Sequence, residues 1–228
     1  MYVGRIVAVG RTNGRSFAAY RVSSRSFPNR RAEVRGRCIL VSPKDPADMA
    51  RNPYIAYNCI RVQGDVAVVA NGTQADMIAE RIEDGLPPLQ AIALSLVAYG
   101  YERDELDTPR LAGAVQGERA WLGIARKDEF RAKEFRLQEG VALMVATYEK
   151  TEFEPLRLGG GSAEEIAERA FSLSFERPVC AAAALERTVS GGPEKRNAGK
   201  EAGRDAGMDA ERDAGFELAV YNPWCNPE

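Results

Sequence analysis

The chain has 228 residues, of which 45% are hydrophobic and 28% are charged, and its formal net charge is −2. Such a composition is typical of a globular protein with a sizeable core, and a charge near zero creates no overall field that would attract nucleic acid or an acidic membrane. The chain contains no histidine, which excludes Ser-His-Asp and Cys-His catalysis and every zinc site that uses imidazole.

The first half of the sequence predicts short strands joined by tight turns. Runs rich in Val, Ile, Tyr and Phe are typical of strands, and they lie at 2–10, 17–23, 38–42, 54–62 and 66–71. The tripeptide Gln63-Gly64-Asp65 joins the last two of these runs, and Gln116-Gly117-Glu118 joins two further runs at 111–115 and 119–125. Both tripeptides predict hairpins, so we expect antiparallel sheets.

Three segments show helical periodicity. Apolar residues recur with helical spacing in 74–84, in 88–99 and in a segment that begins at Ser162, where Ser162 and Glu165 have the spacing of a capping box. Strand-like runs at 142–149, 179–185 and 216–221 complete the pattern. Hairpins covered by helices indicate a layered α+β fold, and we expect a single domain over residues 1–228.

Residues 188–215 differ from the rest of the chain, because they are almost entirely Gly, Ala and charged residues. Such a segment cannot bury enough apolar surface to offset the entropy lost on ordering. We therefore predict a disordered, charged insertion in a loop between two strands, and the alternative is a poorly formed charged helix.

The N-terminal run MYVGRIVAVG lacks the charged leader of a signal peptide, and no stretch approaches the ~18 apolar residues of a membrane span. We therefore expect a cytoplasmic protein with no membrane partner. The four cysteines form no CxxC pair, so we expect reduced thiols and no bound metal.

A dense group of basic residues follows the second strand-like run. Six arginines lie between Tyr20 and Arg37, with Glu33 as the one acid, and serines interleave with the first of them. The arginines are Arg21, Arg25, Arg30, Arg31, Arg35 and Arg37. Guanidinium groups together with hydroxyl donors suit a phosphate. The alternative is a solvated basic loop that contacts no ligand.

Three polar positions are further candidates for a site. Tyr57 and Asn58 would line a pocket with a phenol and an amide, or Tyr57 would simply be packed in a strand. Glu105, followed by Arg110 in DELDTPR, would supply a general base, or this run is a polar turn. Asn71 precedes a helix whose first backbone N–H groups could hold an anion.

Four runs of the sequence resemble one family: YVGRIVAVGR at the start, YRVSSRSFPNR at 20–30, NPYIAYNCIR at 52–61 and DELDTPR at 104–110. Together they resemble the archaeal-type IMP cyclohydrolases, over most of residues 1–185. The resemblance implies an N-terminal-nucleophile-hydrolase-like fold, a four-layer αββα sandwich of two antiparallel sheets between helix layers. Met1 and Tyr2 do not offer the N-terminal nucleophile of that fold, so the resemblance implies reuse of the fold without its usual chemistry.

The implied reaction is the dehydrating ring closure of 5-formamidoimidazole-4-carboxamide ribonucleotide to IMP, with no cofactor. On this resemblance, Arg25 and Arg30 would hold the phosphate or the polarised carboxamide together with Ser23 and Ser24, and Arg21 would lie nearby. Tyr57 and Asn58 would contact the base and the developing oxyanion. Glu105 would act as the acid–base residue with Arg110 as its partner, and Asn71 would contact the substrate.

Two other functions remain open from the sequence. One is an amide hydrolase of the same layered fold, which needs a nucleophile at a mature N-terminus. The other is a non-catalytic nucleotide- or RNA-binding module, although only Tyr20 and Phe27 offer stacking surfaces beside the arginines. We expect a small-molecule nucleotide as the partner rather than nucleic acid, and the sequence leaves a homo-oligomer open.

Overall fold

The structure is a computed structural model that describes residues 1–48, 55–188 and 215–223. Within these residues the chain forms two antiparallel sheets and three α-helices. The helices are α1 (Gln74–Glu83), α2 (Pro88–Tyr99) and α3 (Ala163–Phe171). Wherever the sequence predicted the first or last residue of a helical segment, the observed residue agrees with it to within one position.

The first sheet has six strands in the order β11-β10-β1-β2-β12-β13. These strands are β1 (Ile6–Thr12), β2 (Arg15–Ser23), β10 (Ala142–Ala146), β11 (Glu154–Leu156), β12 (Pro178–Glu186) and β13 (Phe216–Tyr221).

The second sheet has seven strands in the order of the chain, from β3 to β9. These are β3 (Arg30–Arg35), β4 (Cys38–Pro43), β5 (Tyr57–Gln63), β6 (Val66–Ala70), β7 (Arg110–Gln116), β8 (Arg119–Ala125) and β9 (Phe130–Arg136).

The two sheets lie face to face and each is covered by helices on its outer side. Side chains from the inner faces of both sheets form one buried core. A second core lies between the six-stranded sheet and α3, and a third lies between the seven-stranded sheet and the pair α1 and α2. This is the predicted four-layer αββα sandwich. The likeness to N-terminal-nucleophile hydrolases stays a prediction.

Strand β2 shows why the central strands read as continuous apolar runs. Residues from Ser16 to Ser23 are all buried, because one face of β2 meets the opposite sheet and the other face meets the layer of α3. Ala18, Tyr20 and Val22 belong to the core between the sheets, whereas Phe17 and Ala19 belong to the core beneath α3. The alternation of side chains along a strand therefore determines in which of the two cores each residue is buried.

The two predicted hairpins are confirmed. Gln63 pairs with Val66, and Gln116 pairs with Arg119, so each turn has two central residues. The first central residue is Gly64 with φ of 56° in one turn, and Gly117 with φ of 53° in the other. A side chain would be strained in this conformation. The capping prediction is also confirmed, since Ser162 Oγ accepts a hydrogen bond from the backbone N–H of Glu165 at 3.2 Å.

Three strands were not predicted, namely β3, β9 and β11. Strands β3, β9 and β11 lie at sheet edges, where exposed charged residues hide the apolar alternation that marks an interior strand. The basic residues from Arg30 to Arg35 therefore form a strand and not a loop. Most of the predicted charged insertion at 188–215 lies outside the described residues. None of the helices within the described ranges has the length and apolar character needed to cross a membrane.

Candidate active site

Two tyrosines meet between the sheets, one from each sheet. The hydroxyl groups of Tyr20 on β2 and Tyr57 on β5 lie 2.8 Å apart, and their rings pack edge to face with centroids 6.3 Å apart. Both residues are at most 5% exposed. Only one of the two phenol protons is used in the contact between them, so the other can be donated to a ligand.

Glu102 lies beside two arginines, in the loop between α2 and β7. Its Oε2 is 3.4 Å from Nη2 of Arg5, and its Oε1 is 3.5 Å from Nη1 of Arg110. The three side chains are at most 20% exposed. Nε of Arg5 and Nε of Arg110 are buried and have no hydrogen-bond partner within the described residues, so both can still donate to a bound molecule.

A buried polar network fixes the position of Arg110. Nη1 of Arg110 donates to Oε1 of Gln74 at 3.1 Å, and Nε2 of Gln74 donates to Oδ1 of Asn71 at 2.8 Å. Asn71 in turn bonds the backbone of the segment that leads into β7, through the carbonyl of Pro109 and the N–H of Leu111. Since every amide group is paired, the network holds Arg110 rigidly against Glu102.

Arg30 is a third buried guanidinium close to this group, with 4% of its surface exposed. Its Nε donates to the carbonyl oxygen of Phe27 at 3.1 Å. Its charge opposes the rise in the pKa of Tyr57 and of Glu102 that burial causes. Its two Nη groups form no hydrogen bond with any residue that the structure describes, so they remain free for a ligand.

Burial sets the protonation of the acidic groups in this cluster. Desolvation raises the pKa of Glu102, and the nearby Arg5 and Arg110 offset this only in part. Desolvation also raises the pKa of Tyr57 and, together with the neighbouring phenol, that of Tyr20. Both phenols are therefore protonated donors at neutral pH, and the pKa of Glu102 is shifted upward, towards the range of a general base.

We define the catalytic cluster as Arg5, Tyr20, Arg30, Tyr57, Glu102 and Arg110. It offers one proton acceptor, two phenol donors and three cations in a largely buried space. Such a set can take a proton from one group, stabilise an oxygen that gains negative charge, and hold an anionic substrate. Three guanidinium groups and a single carboxylate in this cluster also favour a negatively charged ligand.

Comparison with known proteins identifies a family that matches most of the chain. Residues 2–190, well over half of the chain, match the family described as IMP cyclohydrolase-like protein. The chain belongs to this family.

Similar curated proteins come from archaea and carry the same name. A Methanothrix thermoacetophila protein named IMP cyclohydrolase is 56% identical over 223 residues, which cover 98% of this chain and all of that protein. Proteins of that name from Methanocella arvoryzae and Natronomonas pharaonis are 53% and 48% identical. They align with 82% and 80% of this chain, and with 93% and 91% of their own lengths. The predicted resemblance to the IMP cyclohydrolases is therefore confirmed.

The structure brings some of the predicted site residues together. Arg30, Tyr57 and Arg110 all belong to the catalytic cluster. Asn71 does not line it but supports Arg110 through Gln74. Sequence reasoning found Arg30 in the dense group of arginines, and it found Tyr57 and Arg110 in two further runs that also carry the family resemblance.

Other predicted residues lie elsewhere. Asn58 alternates away from Tyr57 and donates to Asp76 of α1 at 2.8 Å. The side chain of Arg25 is 61% exposed and is 3.3 Å from Glu176. Glu105 is exposed.

Ser24 has a local role that the structure shows. Its Oγ accepts a hydrogen bond from the backbone N–H of Phe27 at 2.9 Å. This bond shapes the loop whose Phe27 carbonyl holds Arg30, so Ser24 acts on the catalytic cluster through the backbone.

Arg21 and Ser23 point to the opposite face of the six-stranded sheet. Arg21 lies directly between Ile6 of β1 and Ala181 of β12, and both neighbours belong to the core beneath α3. Ser23, two residues further along β2, faces the same way. The sheet therefore separates these two residues from the catalytic cluster.

Sequence reasoning missed Arg5, Tyr20 and Glu102 as members of the site. Arg5 and Glu102 are 97 residues apart in the chain, so no local pattern connects them. Glu102 stands three residues before Glu105 in a stretch that offers several carboxylates. Its special feature is burial beside two arginines, which depends on the tertiary structure alone.

Proposed function

We propose that the catalytic cluster carries out the dehydrating ring closure of 5-formamidoimidazole-4-carboxamide ribonucleotide to IMP. The observation that carries this proposal is Glu102, a carboxylate with a raised pKa held between two guanidinium groups beside a pair of protonated phenols. Membership of the IMP cyclohydrolase-like family supports it, as do relatives of that name that match nearly the whole chain.

The reaction joins two groups that already stand on the same ring. The carboxamide nitrogen attacks the formyl carbon, and the formyl oxygen leaves as water with one proton from the carboxamide nitrogen and one from the formamido nitrogen. Because the groups are already adjacent, binding saves little translational entropy. The protein must therefore supply proton transfer and charge stabilisation.

Glu102 is the proposed base, and it takes the proton from the weakly acidic carboxamide nitrogen. A well-placed general base contributes roughly 10²–10⁴-fold to the rate. The protonated Glu102 can then give this proton to the formyl oxygen, since desolvation stabilises the neutral form of Glu102. The second proton of the departing water comes from the formamido nitrogen.

Tyr57 and Arg30 are proposed to stabilise the formyl oxygen as it gains negative charge. Tyr57 is a neutral donor at pH 7 because burial raises its pKa, and Arg30 has free Nη groups beside it. Fixed donors aimed at a developing oxyanion in a water-poor site are an effective catalytic device. Arg5 and Arg110 keep Glu102 oriented and offer their Nε groups to the anionic substrate.

The other predicted residues stay hypotheses. Arg25, Asn58 and Glu105 would need to move toward the cluster when substrate binds, and substitution of each one tests this. A cytoplasmic location, the absence of a nucleic-acid partner and of a cofactor, and a homo-oligomeric state also remain predictions for this protein.

The deciding experiment is incubation of purified protein with the formamido ribonucleotide, while the appearance of IMP is followed by absorbance and confirmed by chromatography. We expect turnover without an added cofactor, and a kcat lower by roughly 10²–10⁴-fold with the Glu102→Gln variant. Binding of IMP without any turnover would indicate a nucleotide-binding module instead. No IMP formation by folded protein between pH 6 and 9 would refute the proposal.

A further inference from the structure

The carboxylate of Asp104 organises the loop that carries Glu102. Its Oδ1 accepts hydrogen bonds from the backbone N–H groups of Leu106 at 3.2 Å and Thr108 at 2.9 Å, and its Oδ2 accepts one from Oγ1 of Thr108 at 2.7 Å. Thr108 is fully buried, and its carbonyl oxygen accepts a hydrogen bond from the backbone N–H of Glu102 at 2.8 Å. Asp104 therefore fixes Thr108, and Thr108 fixes the backbone of Glu102.

A tyrosine extends this chain of polar groups. The hydroxyl oxygen of Tyr148 lies 2.7 Å from Oγ1 of Thr108. The hydroxyl group of Thr108 has a single proton, which it donates to the carboxylate of Asp104. Tyr148 must therefore donate its own proton to Thr108. The chain of donors runs from Tyr148 through Thr108 to Asp104, and a hydrogen bond that ends on a carboxylate is a strong one.

The segment that contains Tyr148 also holds Arg5. The backbone N–H of Arg5 donates to Oγ1 of Thr147 at 3.1 Å, and the N–H of Thr147 donates to the carbonyl oxygen of Arg5 at 3.1 Å. The N–H of Tyr148 donates to the carbonyl oxygen of Val3 at 3.1 Å. The hydroxyl group of Tyr148 therefore joins the segment that carries Arg5 to the loop that carries Glu102.

We propose that Asp104, Thr108 and Tyr148 are positioning residues that hold Glu102 against Arg5 for proton transfer. This role rests on the proposed function, because it acts through Glu102 as the base. Glu102 and Arg5 are 97 residues apart in the chain, and their contact of 3.4 Å is too long to fix their geometry by itself. A base that is misplaced by about 1 Å can lose on the order of 10²-fold in rate.

The charge of Asp104 adds an effect that a purely structural contact would not have. Desolvation is the largest cause of the raised pKa of Glu102, and the negative charge of Asp104 adds to this rise. The groups that oppose it are Arg5 before β1, Arg30 on β3 and Arg110 on β7. Desolvation would also raise the pKa of Asp104, but the hydrogen bonds that it accepts outweigh this and lower that pKa. Asp104 therefore remains charged while Glu102 titrates.

Two variants separate the hydrogen bonds from the charge. Thr108→Val has nearly the same shape and keeps the charge of Asp104, but it loses both hydroxyl contacts. Asp104→Asn loses the charge as well. We expect kcat for IMP formation to fall about ten- to a hundredfold in both variants, with little change in KM, because the base is misplaced and the substrate contacts remain. Only Asp104→Asn should move the acid limb of kcat/KM to lower pH. Thr108→Ser keeps the hydroxyl group and should restore most of kcat.

Tyr148→Phe tests the link between the two segments. It removes the hydroxyl group but keeps the ring, which stacks on Tyr2 with centroids 5.8 Å apart, so the segment should keep its place. We expect a lower kcat and an acid limb at the same pH as in the unmodified protein, since no charge is lost. An unchanged kcat would overturn the role of Tyr148.

Asp107→Asn is the matched control. Asp107 lies in the same loop, but its carboxylate is 2.7 Å from the exposed Lys127. Its φ of 47° is a backbone conformation that asparagine also adopts readily, so the substitution removes a charge without straining the loop. We expect kcat and the acid limb of kcat/KM to match those of the unmodified protein.

Two measurements without substrate keep this role separable from the proposed function. An NMR titration of ¹³C-labelled glutamate, with Glu102 assigned through Glu102→Gln, should show a lower pKa of Glu102 in Asp104→Asn but not in Asp107→Asn. Hydrogen exchange at the backbone N–H of Glu102 should be faster in Thr108→Val and Asp104→Asn than in Asp107→Asn. If both effects appear in a protein that forms no IMP, the proposed function fails and the positioning of Glu102 stands.

The opposite pattern would overturn the positioning role. IMP formation with an unchanged pKa and unchanged hydrogen exchange of Glu102 in these variants would do so. So would a lower thermal unfolding midpoint in Thr108→Val with an unchanged kcat, because Thr108 would then stabilise the loop without acting on the base.

Discussion

Replacement of Glu102 by glutamine tests the central step of the proposed mechanism. The amide has nearly the same size as the carboxylate but cannot accept the substrate proton. A general base contributes roughly 10²–10⁴-fold, so we expect kcat to fall by that factor. This corresponds to about 2.7–5.4 kcal/mol of lost transition-state stabilisation. The matched variant is Glu105→Gln, three residues away on an exposed turn, for which we expect little change.

The structural cost of this change should be smaller than its catalytic cost. The contacts of Glu102 with Arg5 and Arg110 are long, at 3.4 and 3.5 Å, and glutamine keeps an oxygen that can accept from one of them. We expect a loss of about 1–3 kcal/mol in the free energy of unfolding. Thermal unfolding and circular dichroism check that the variant is folded before its kcat is compared.

The pH dependence provides a second measure of the same residue. A base must be deprotonated to act, and burial raises the pKa of Glu102 above its ordinary value of 4.5. The kcat/KM value should therefore decrease on the acid side with a midpoint above pH 4.5, because this parameter reports the free enzyme. The acid limb should vanish in Glu102→Gln. Near-normal activity of this variant, with a large loss in Glu105→Gln, would refute the assignment and favour Glu105 as the base.

Four further results are expected. Tyr57→Phe should lower kcat about 10²–10³-fold in the IMP-forming assay, if its phenol is an oxyanion donor, and an unchanged kcat would exclude that role. Arg30→Lys should reduce kcat/KM about ten- to a hundredfold. The reduction should be larger than for Arg25→Lys, because Arg30 is buried and Arg25 is exposed. The reverse order of the two effects would place Arg25 at the reacting groups. EDTA should leave the rate unchanged, and a loss restored by one divalent ion would contradict this. Gly123→Ala should destabilise the fold by about 1–3 kcal/mol in thermal unfolding, because the new methyl group would come within 2.6 Å of Ile92 and Leu96 of α2. An unchanged unfolding midpoint would show that α2 shifts freely.

Local signals were sufficient to predict a layered α+β fold, whereas the four-layer arrangement was implied only by the resemblance to the family. The turns at Gly64 and Gly117 need a backbone conformation that glycine adopts without strain, and so they are visible in the sequence. The capping pair Ser162 and Glu165 marks a helix start in the same way. The edge strands β3, β9 and β11 escaped prediction, because an edge strand needs no apolar alternation when solvent covers part of it.

The catalytic cluster could be predicted from the sequence to a much smaller extent than the fold, because its assembly depends on the tertiary structure. Arg30 was recognised as a candidate within the dense group of arginines, and Tyr57 as a phenol beside an amide in a strand-like run. Glu102 is partly buried beside Arg5, which comes from the other end of the chain, whereas Glu105 is exposed. The faces of Asn58 and Arg21 are likewise fixed by the pairing register of β5 and β2. A sequence carries the residue types and their local periodicity. Burial and charge pairing arise only when distant strands meet. Burial and charge pairing, in turn, determine the pKa of a base and the partners of a cation.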